Sequence, residues 1–280
     1  MFRRTVPIAN IQGVAAGQVA TIDLPTDRRY HAIFLRYTES GTAVTSANMD
    51  AAITSIVIKV NSRTQREYTA AELRVLNAVN GADFAFQNGV LPIFFSEPWR
   101  RTPGGEDALA WPMFAQNGIQ SFQIEVTIAA GRTAPALSGK AVVDQVMAPL
   151  GPIVTTRRRN VPVSATGVTT LLDMPRNLGD YNSLHCFEAT ANDIAGVRVT
   201  VDQLIAFDRR DAENTAFLTV NGYVPQAALF HVIFDENRRV GDGLPLLRAD
   251  KTLASEFTLE FDMAVAAQFI LVAQMLGGLN

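Results

Sequence analysis

Residues 122–128 read Phe-Gln-Ile-Glu-Val-Thr-Ile, and residues 257–263 read Phe-Thr-Leu-Glu-Phe-Asp-Met. In both segments apolar and polar side chains alternate with a period of two, which puts the apolar ones on one face of a β-strand. Ile124 and Leu259 are therefore expected in cores, and Gln123 and Thr258 on the opposite faces. Half-buried antiparallel strands have this pattern, so the two segments predict an all-β chain.

The similarity between the two halves extends outward from these strands. Further matched segments occur in the same order in both halves: 3–7 with 158–162, 22–25 with 172–175, Tyr30 with Tyr181, 56–60 with 197–201, 79–81 with 220–222, 95–97 with 234–236, Arg100-Arg101 with Arg238-Arg239, and 142–147 with 271–276. The spacing mostly shrinks along the chain, as expected if a duplicated domain lost loop residues and kept its strands. We therefore predict a tandem duplication.

Turn signals divide each half into short strands. Gly, Pro and Asn clusters such as Asn88-Gly89 and Asn117-Gly118 leave room for about eight strands per half, which is typical of a sandwich, jelly roll or barrel. Residues 148–152, Ala-Pro-Leu-Gly-Pro, end regular strand pairing. We place the domains at 1–150 and 151–280, with Asn80 and Asn221 at equivalent turns.

One short helix is predicted between strands of the first half. Thr69 and Glu72 have capping-box spacing, and Gly81 follows the expected end. For the equivalent region, 211–219, both a helix and an irregular segment stay open.

Composition excludes several classes of function. A net charge of −3 argues against a protein that coats nucleic acid, so no specific nucleic-acid binding is expected. The single Cys186 and the three histidines, His31, His185 and His231, show no metal-ligand spacing, and we expect no metal or cofactor.

No signal peptide is visible, and the apolar run 269–276 is too short to span a bilayer. A soluble protein made in a cytoplasm is expected.

The starts of both halves resemble the major coat protein family of corticoviruses, tailless icosahedral phages with a membrane inside the capsid. The first half carries the resemblance in Ile11, Val14-Ala15-Ala16-Gly17, Leu24-Pro25, Tyr30 and Leu35-Arg36-Tyr37. The second half carries it in Arg158-Arg159-Asn160, Asp173-Met174-Pro175-Arg176 and Tyr181. The middle of each half, including Trp99 and Trp111, shows no residue-by-residue match.

The resemblance implies a double jelly roll of two tandem eight-stranded jelly rolls. It further implies a structural major capsid protein whose three copies form a pseudo-hexagonal capsomer, with neighbouring capsomers, other virion proteins such as a vertex protein, and an internal viral membrane as partners. The family has no catalytic residues to transfer. Calcium binds to some such coats, but no ligand motif matches here.

Enzymatic interpretations are weaker. No Gly-x-Ser-x-Gly segment marks a hydrolase, and His31 and His231 are expected to be surface or satisfied strand residues. Cys186 is expected to be a small buried apolar residue. Glu125 and Glu260 could suggest a glycosidase pair, but we expect them in separate domains. We predict that the protein is not an enzyme.

Three segments could bind ions. The loops 104–107 and 241–243 offer oxygen ligands for calcium, but neither has EF-hand spacing, so solvated turns are expected. Arg157-Arg158-Arg159 could contact phosphate, although arginines in a linker more often pair with carboxylates.

The alternative function is a tandem carbohydrate-binding β-sandwich, such as a receptor-binding or lectin-like module. Sugar sites expose clustered aromatic side chains, and here only Trp99 and Trp111 with Tyr68 or Tyr223 could supply them.

Overall fold

The structure is a computed structural model that describes residues 2–85, 87, 89–100, 102–248 and 250–279. The chain divides into two compact units between Ile153 and Val154. Unit 1 precedes this division and unit 2 follows it up to Gly278, while Leu279 groups with unit 1. Asn88 of one predicted turn and Arg101 of one predicted match lie outside the described residues.

Unit 1 contains two antiparallel sheets. The first sheet has the order β1-β11-β4-β5, with β8 and β9 also paired to β4, and the second has the order β2-β3-β10-β6-β7. The strands are β1 (Arg4–Pro7), β2 (Asn10–Gln12), β3 (Val19–Leu24), β4 (Asp27–Glu39), β5 (Thr42–Ala43), β6 (Ile53–Val60), β7 (Arg63–Tyr68), β8 (Val90–Phe94), β9 (Trp111–Phe114), β10 (Phe122–Ile128) and β11 (Pro135–Asp144).

Unit 2 repeats this plan with four strands in each sheet. Its first sheet has the order β12-β19-β14-β17 and its second the order β13-β18-β15-β16. The strands are β12 (Ile153–Val161), β13 (Gly167–Leu171), β14 (Asp180–Phe187), β15 (Ile194–Val201), β16 (Leu204–Arg210), β17 (Leu229–Ile233), β18 (Phe257–Met263) and β19 (Phe269–Gly277).

Both units have the strand order of a jelly roll. The initial strand lies beside the last strand in the first sheet. The common strands alternate between the two sheets except at the hairpins β6-β7 and β15-β16, so most of their sheet neighbours are distant in sequence. Eight strands of unit 1 correspond in order to those of unit 2: β1, β3, β4, β6, β7, β8, β10 and β11. The prediction of two jelly rolls of the same topology is confirmed, and unit 1 adds short strands to the common frame.

The core of each unit is built by the alternation seen in the sequence. Ile124 and Leu259 are completely buried, as predicted. In unit 2 one apolar cluster joins side chains of both sheets, including Leu184 of β14 and Phe261 of β18. Thr258, expected on the opposite face, is itself buried, because that face is covered at this position.

Strand register confirms the match between the second sheets. Ile124 pairs with Ile58 in unit 1, and Leu259 pairs with Val199 in unit 2.

The predicted match between the last strands is out of register. Val143 faces Tyr30 and Met275 faces Tyr181, so Val143 corresponds to Met275 and not to Val272. Apolar runs resemble themselves after a shift, and only pairing with a neighbouring strand fixes their register.

The predicted helix is α2 (Ala70–Asn80). Thr69 Oγ1 accepts a hydrogen bond from the Glu72 backbone N–H at 3.1 Å, and Glu72 Oε2 accepts one from the Thr69 N–H at 2.9 Å. Gly81, with a φ of 149°, follows the helix.

The open region of the second half also forms a helix, α4 (Asp211–Val220). Asn80 ends α2 and Asn221 directly follows α4, so both residues lie at helix ends. They are not equivalent positions, because the matching contacts to β8 and β17 are made by Asn77 and Asn214, which lie three and seven residues earlier.

Two further helices were not predicted, α1 (Ser46–Ala52) and α3 (Pro103–Ala108). Residues 104–107, expected as a solvated turn, belong to α3, because the Thr102 hydroxyl caps the helix by accepting from the Gly105 N–H at 3.1 Å. No helix in the described part of the chain is long and apolar enough to cross a membrane.

Candidate functional site

A polar cluster joins β4, the end of β11 and α3 in unit 1. His31 Nε2 lies 2.8 Å from Asp144 Oδ2, and Arg29 Nη2 donates to the same oxygen at 2.6 Å. On the other side of the ring, His31 Nδ1 lies 3.5 Å from Asp107 Oδ1, and Arg3 pairs with Asp107. His31 is buried, so it is not the surface residue that the sequence allowed.

The charges of this cluster balance one another. Burial lowers the pKa of His31, and the hydrogen bond to Asp144 offsets this only in part. Burial would raise the pKa of Asp144, but hydrogen bonds from Arg29 and His31 outweigh it and lower that pKa to about 2. Asp144 is therefore ionised at neutral pH and ties the end of β11 to β4.

A second buried network lies on the first sheet of unit 2. His185 Nδ1 lies 2.7 Å from His231 Nδ1, and His185 Nε2 lies 2.8 Å from Ser183 Oγ. Ser183 gives its single hydroxyl hydrogen to Gln274 Oε1 at 2.9 Å. His185 Nε2 must then donate to Ser183, and His185 Nδ1 must accept from His231.

This network contains a serine beside an imidazole but lacks the access that catalysis needs. Ser183 and His185 are each only 4% exposed. Burial lowers the pKa of His185 to about 4. Burial also holds the pKa of His231 well below its usual value, and repulsion from His185 adds to this effect. The sequence analysis did not predict the contact between Ser183 and His185. Their spacing of two residues, which puts both side chains on one face of a strand, could have indicated it.

Cys186 packs on the opposite side of β14 from His185. It is free and buried in the apolar core of unit 2, as predicted. Burial raises the pKa of its thiol, so it is a poor nucleophile.

Glu125 and Glu260 do not form a carboxylate pair. Glu125, in unit 1, accepts from Lys59 Nζ at 2.6 Å, and Glu260, in unit 2, lies 3.6 Å from Arg198 Nη1. Each glutamate is bound to a cation on a neighbouring strand.

The loops considered for calcium show no such arrangement. Among the described residues, no group of three or more His, Cys, Asp or Glu side chains is placed to hold a metal ion. Asp107, in the first of these segments, instead pairs with Arg3.

The three arginines at 157–159 lie in β12, not in a linker. The strand starts at Ile153, directly after the proline-containing segment, and lies beside β19 in the first sheet of unit 2. Arg159 donates to both carboxylate oxygens of Asp173, at 2.6 and 2.9 Å, as expected for arginines that pair with carboxylates.

The aromatic residues considered for sugar binding are not gathered on a surface. Trp111, Tyr68 and Tyr223 are buried. Trp99 is partly buried and packs edge-on against Phe94, with ring centres 5.5 Å apart. The sugar-binding alternative is not favoured.

Comparison with known protein families assigns the whole two-unit arrangement. Residues 5–144 match the model of the viral coat protein P2 N-terminal domain, and residues 153–279 match that of the P2 C-terminal domain. This chain belongs to the viral coat protein P2 family. It is therefore a structural protein of a viral capsid, which confirms the resemblance seen at the starts of its two halves.

Solved capsid structures share the fold of this P2-family protein. The major capsid protein P2 of bacteriophage PM2 has a TM-score of 0.86 at 20% identity, with 100% of this chain and 98% of that chain covered. The STIV MCP has a TM-score of 0.67 at 11% identity, covering 99% and 96%, and the PBCV-1 virus capsid has 0.65 at 12%, covering 98% and 94%. At these identities the likeness shows the fold alone. No curated protein sequence matches the chain.

Proposed function

We propose that this coat protein assembles as a homotrimer that forms a pseudo-hexagonal capsomer of an icosahedral virion. The observation that carries the proposal is the common strand order of the two units. Three copies of a chain with two similar units present six similar units around a three-fold axis. Such a tile fits the six-coordinated positions of an icosahedral shell, and cyclic symmetry closes it without a free interface.

Solved relatives support capsid assembly. One is the PBCV-1 virus capsid, and another belongs to Sulfolobus Turreted Icosahedral Virus. By the resemblance, further partners are neighbouring capsomers, a vertex protein and an internal viral membrane. The protein would be synthesised in the host cytoplasm, act without catalysis and not bind nucleic acid specifically.

We also propose 1–150 and 151–280 as the two domains, because the prolines of the connecting segment separate two complete jelly rolls.

Light scattering on the purified chain tests the trimer. We expect a mass near three times 30.4 kDa that persists on dilution, since a permanent contact of this kind buries more than about 2,000 Å². A second measurement asks whether the chain is the dominant protein of purified particles. A chain that stays monomeric under particle-stabilising salt and pH would contradict the proposal.

A further inference from the structure

The outer face of the first sheet differs between the two units. Phe34 and His185 occupy equivalent positions, each four residues after the tyrosine that faces the last strand. His185 is 4% exposed, but Phe34 is 36% exposed. Opposite them on the last strand, Val272 is fully buried, whereas Lys140 is exposed. This face is covered in unit 2 and open in unit 1.

The open face of unit 1 forms a groove of about 600 Å³. Its lining is apolar at Ile8, Phe34, Val90 and Val142 and basic at Arg36 and Lys140, with no carboxylate among the lining residues. Neither Arg36 nor Lys140 makes an ion pair within the described part of the chain. An apolar groove with two unpaired cations fits an apolar partner that carries negative charge.

The helices differ in exposure in the opposite direction, because large apolar side chains are exposed on the helix of unit 2 and not on that of unit 1. In α2 of unit 1, Leu73, Leu76 and Val79 are buried. In α4 of unit 2, Phe217 is 46% exposed and Val220 is 85% exposed.

An acidic residue continues the exposed stripe of α4. Glu213 is exposed one helical turn before Phe217, on the same side of the helix. It makes no ion pair with any residue that the structure describes. The Arg209 guanidinium lies 4.3 Å from the centre of the Phe217 ring, but its charge is paired with Glu236. The exposed face of α4 therefore combines apolar surface with one acidic side chain that has no ion pair among the described residues.

The orientation of α4 is fixed by a contact that both helices share. Asn77 Nδ2 of α2 donates to the Pro92 carbonyl at 2.9 Å, and Asn214 Nδ2 of α4 donates to the His231 carbonyl at 2.6 Å. Because Asn214 and Leu218 face inward, the stripe of Glu213, Phe217 and Val220 is directed to solvent.

We propose that the groove of one copy binds α4 of a neighbouring copy. The inference rests on the proposed trimer and names its contact. In a cyclic trimer each contact joins two different surfaces, so every chain must carry a complementary pair. The groove supplies apolar surface and positive charge, and α4 supplies apolar surface and negative charge. Both surfaces are open in the part of the chain that the structure describes, and a second copy offers each of them a complementary surface.

Charge reversal tests the pairing by sedimentation across a dilution series. Lys140→Glu and Glu213→Lys should each raise the concentration at which the trimer dissociates by about tenfold or more, because a like charge then faces the partner. The double variant should move this concentration back toward the wild-type value. Phe217→Asp should weaken the trimer at least as strongly.

Matched controls carry the same chemical changes elsewhere. Arg63→Glu reverses an exposed charge of unit 1, and Leu204→Asp changes an exposed apolar residue of unit 2 to an acid. Both should leave the trimer unchanged. All these sites are exposed, and the melting temperature of each variant verifies that the chain still folds.

Cross-linking gives an independent readout. A chain with both Lys140→Cys and Glu213→Cys should form disulfide-linked oligomers under mild oxidation, whereas each single variant should not, since Cys186 is buried.

Stable trimers that ignore these substitutions and do not cross-link would overturn this contact and leave the proposed trimer intact. Sensitivity to Lys140→Glu alone would show that another segment or molecule occupies the groove, which overturns the assignment of α4. A wild-type chain that stays monomeric would overturn both proposals.

Discussion

Tyr30 and Tyr181 make the same hydrogen bond in the two units. Tyr30 Oη donates to the Pro25 carbonyl at 2.7 Å, and Tyr181 Oη donates to the Pro175 carbonyl at 2.6 Å. Both rings are buried, and each residue faces the last strand of its jelly roll. Each bond fastens the loop before strand β4 or β14 to the core.

Removal of either hydroxyl should therefore have a similar effect. Tyr30→Phe and Tyr181→Phe should each lower the free energy of unfolding by about 0.5–1.5 kcal/mol, because each removes one hydrogen bond between a buried tyrosine and the preceding loop. Denaturant titration measures the change. Tyr37→Phe is the control, since Tyr37 Oη donates to Glu39 of its own strand and fastens no loop. A control loss as large as the other two would show that these bonds have no special role.

Truncation of side chains on the two faces of the second sheet in unit 2 should lower stability by different amounts. Leu259→Ala should cost about 2–5 kcal/mol through lost burial and a residual cavity. Val168→Ala on the neighbouring strand removes an apolar side chain that is 68% exposed, and should change stability by less than about 0.5 kcal/mol. Denaturant titration of both variants tests the register, and equal losses would show that it is wrong.

The asparagines that tie the helices to the sheets should matter in both units. Asn77→Ala and Asn214→Ala each leave a strand carbonyl without its donor, so each should cost about 1–3 kcal/mol in a thermal or denaturant unfolding experiment. Thr215→Ala, next to Asn214 but exposed, should be neutral or slightly stabilising because alanine favours helices. A neutral Asn214→Ala variant would mean that α4 does not depend on this bond.

The buried histidine pair should make unit 2 sensitive to acid. An unfolded chain binds protons at histidine near pH 6.5, whereas folded His185 binds one only near pH 4. As the pH falls from about 6.5 toward 4, the unfolded state takes up more protons and stability falls, by up to about 1.4 kcal/mol per pH unit for each histidine. Above pH 6.5 both states are neutral and this contribution is constant.

A matched variant isolates that effect. Burial raises the pKa of Glu188 to about 7. Between pH 7 and the pKa of glutamate in the unfolded chain, the folded state binds more protons at this residue, so the contribution of Glu188 to stability rises as the pH falls. This pH dependence is opposite to that of the histidines. The double variant His185→Gln with His231→Gln keeps Glu188 but removes the titrating imidazoles. The difference in unfolding free energy between wild type and variant should shrink between pH 6.5 and 4. A constant difference would contradict the prediction.

The sequence alone predicted the features that depend on local pattern. Alternation in 122–128 and 257–263 placed Ile124 and Leu259 in cores, because successive side chains of a strand point to opposite faces wherever the strand lies. The capping box of Thr69 and Glu72 fixed the start of α2 for the same local reason. Order and similarity of the matched segments predicted two similar all-β domains, and the resemblance of their starts to the corticovirus coat family implied that each is a jelly roll.

Tertiary structure decided the features that depend on which segments meet. The register of the last strand required its pairing with Tyr30 or Tyr181, since an apolar run matches itself after a shift. The burial of His31, His185 and Thr258 follows from what covers each position, which period-two alternation does not encode. The open groove of unit 1 and the exposed face of α4 arise in the same way. The two similar units therefore differ in which surfaces are exposed, and the local sequence pattern does not encode that difference.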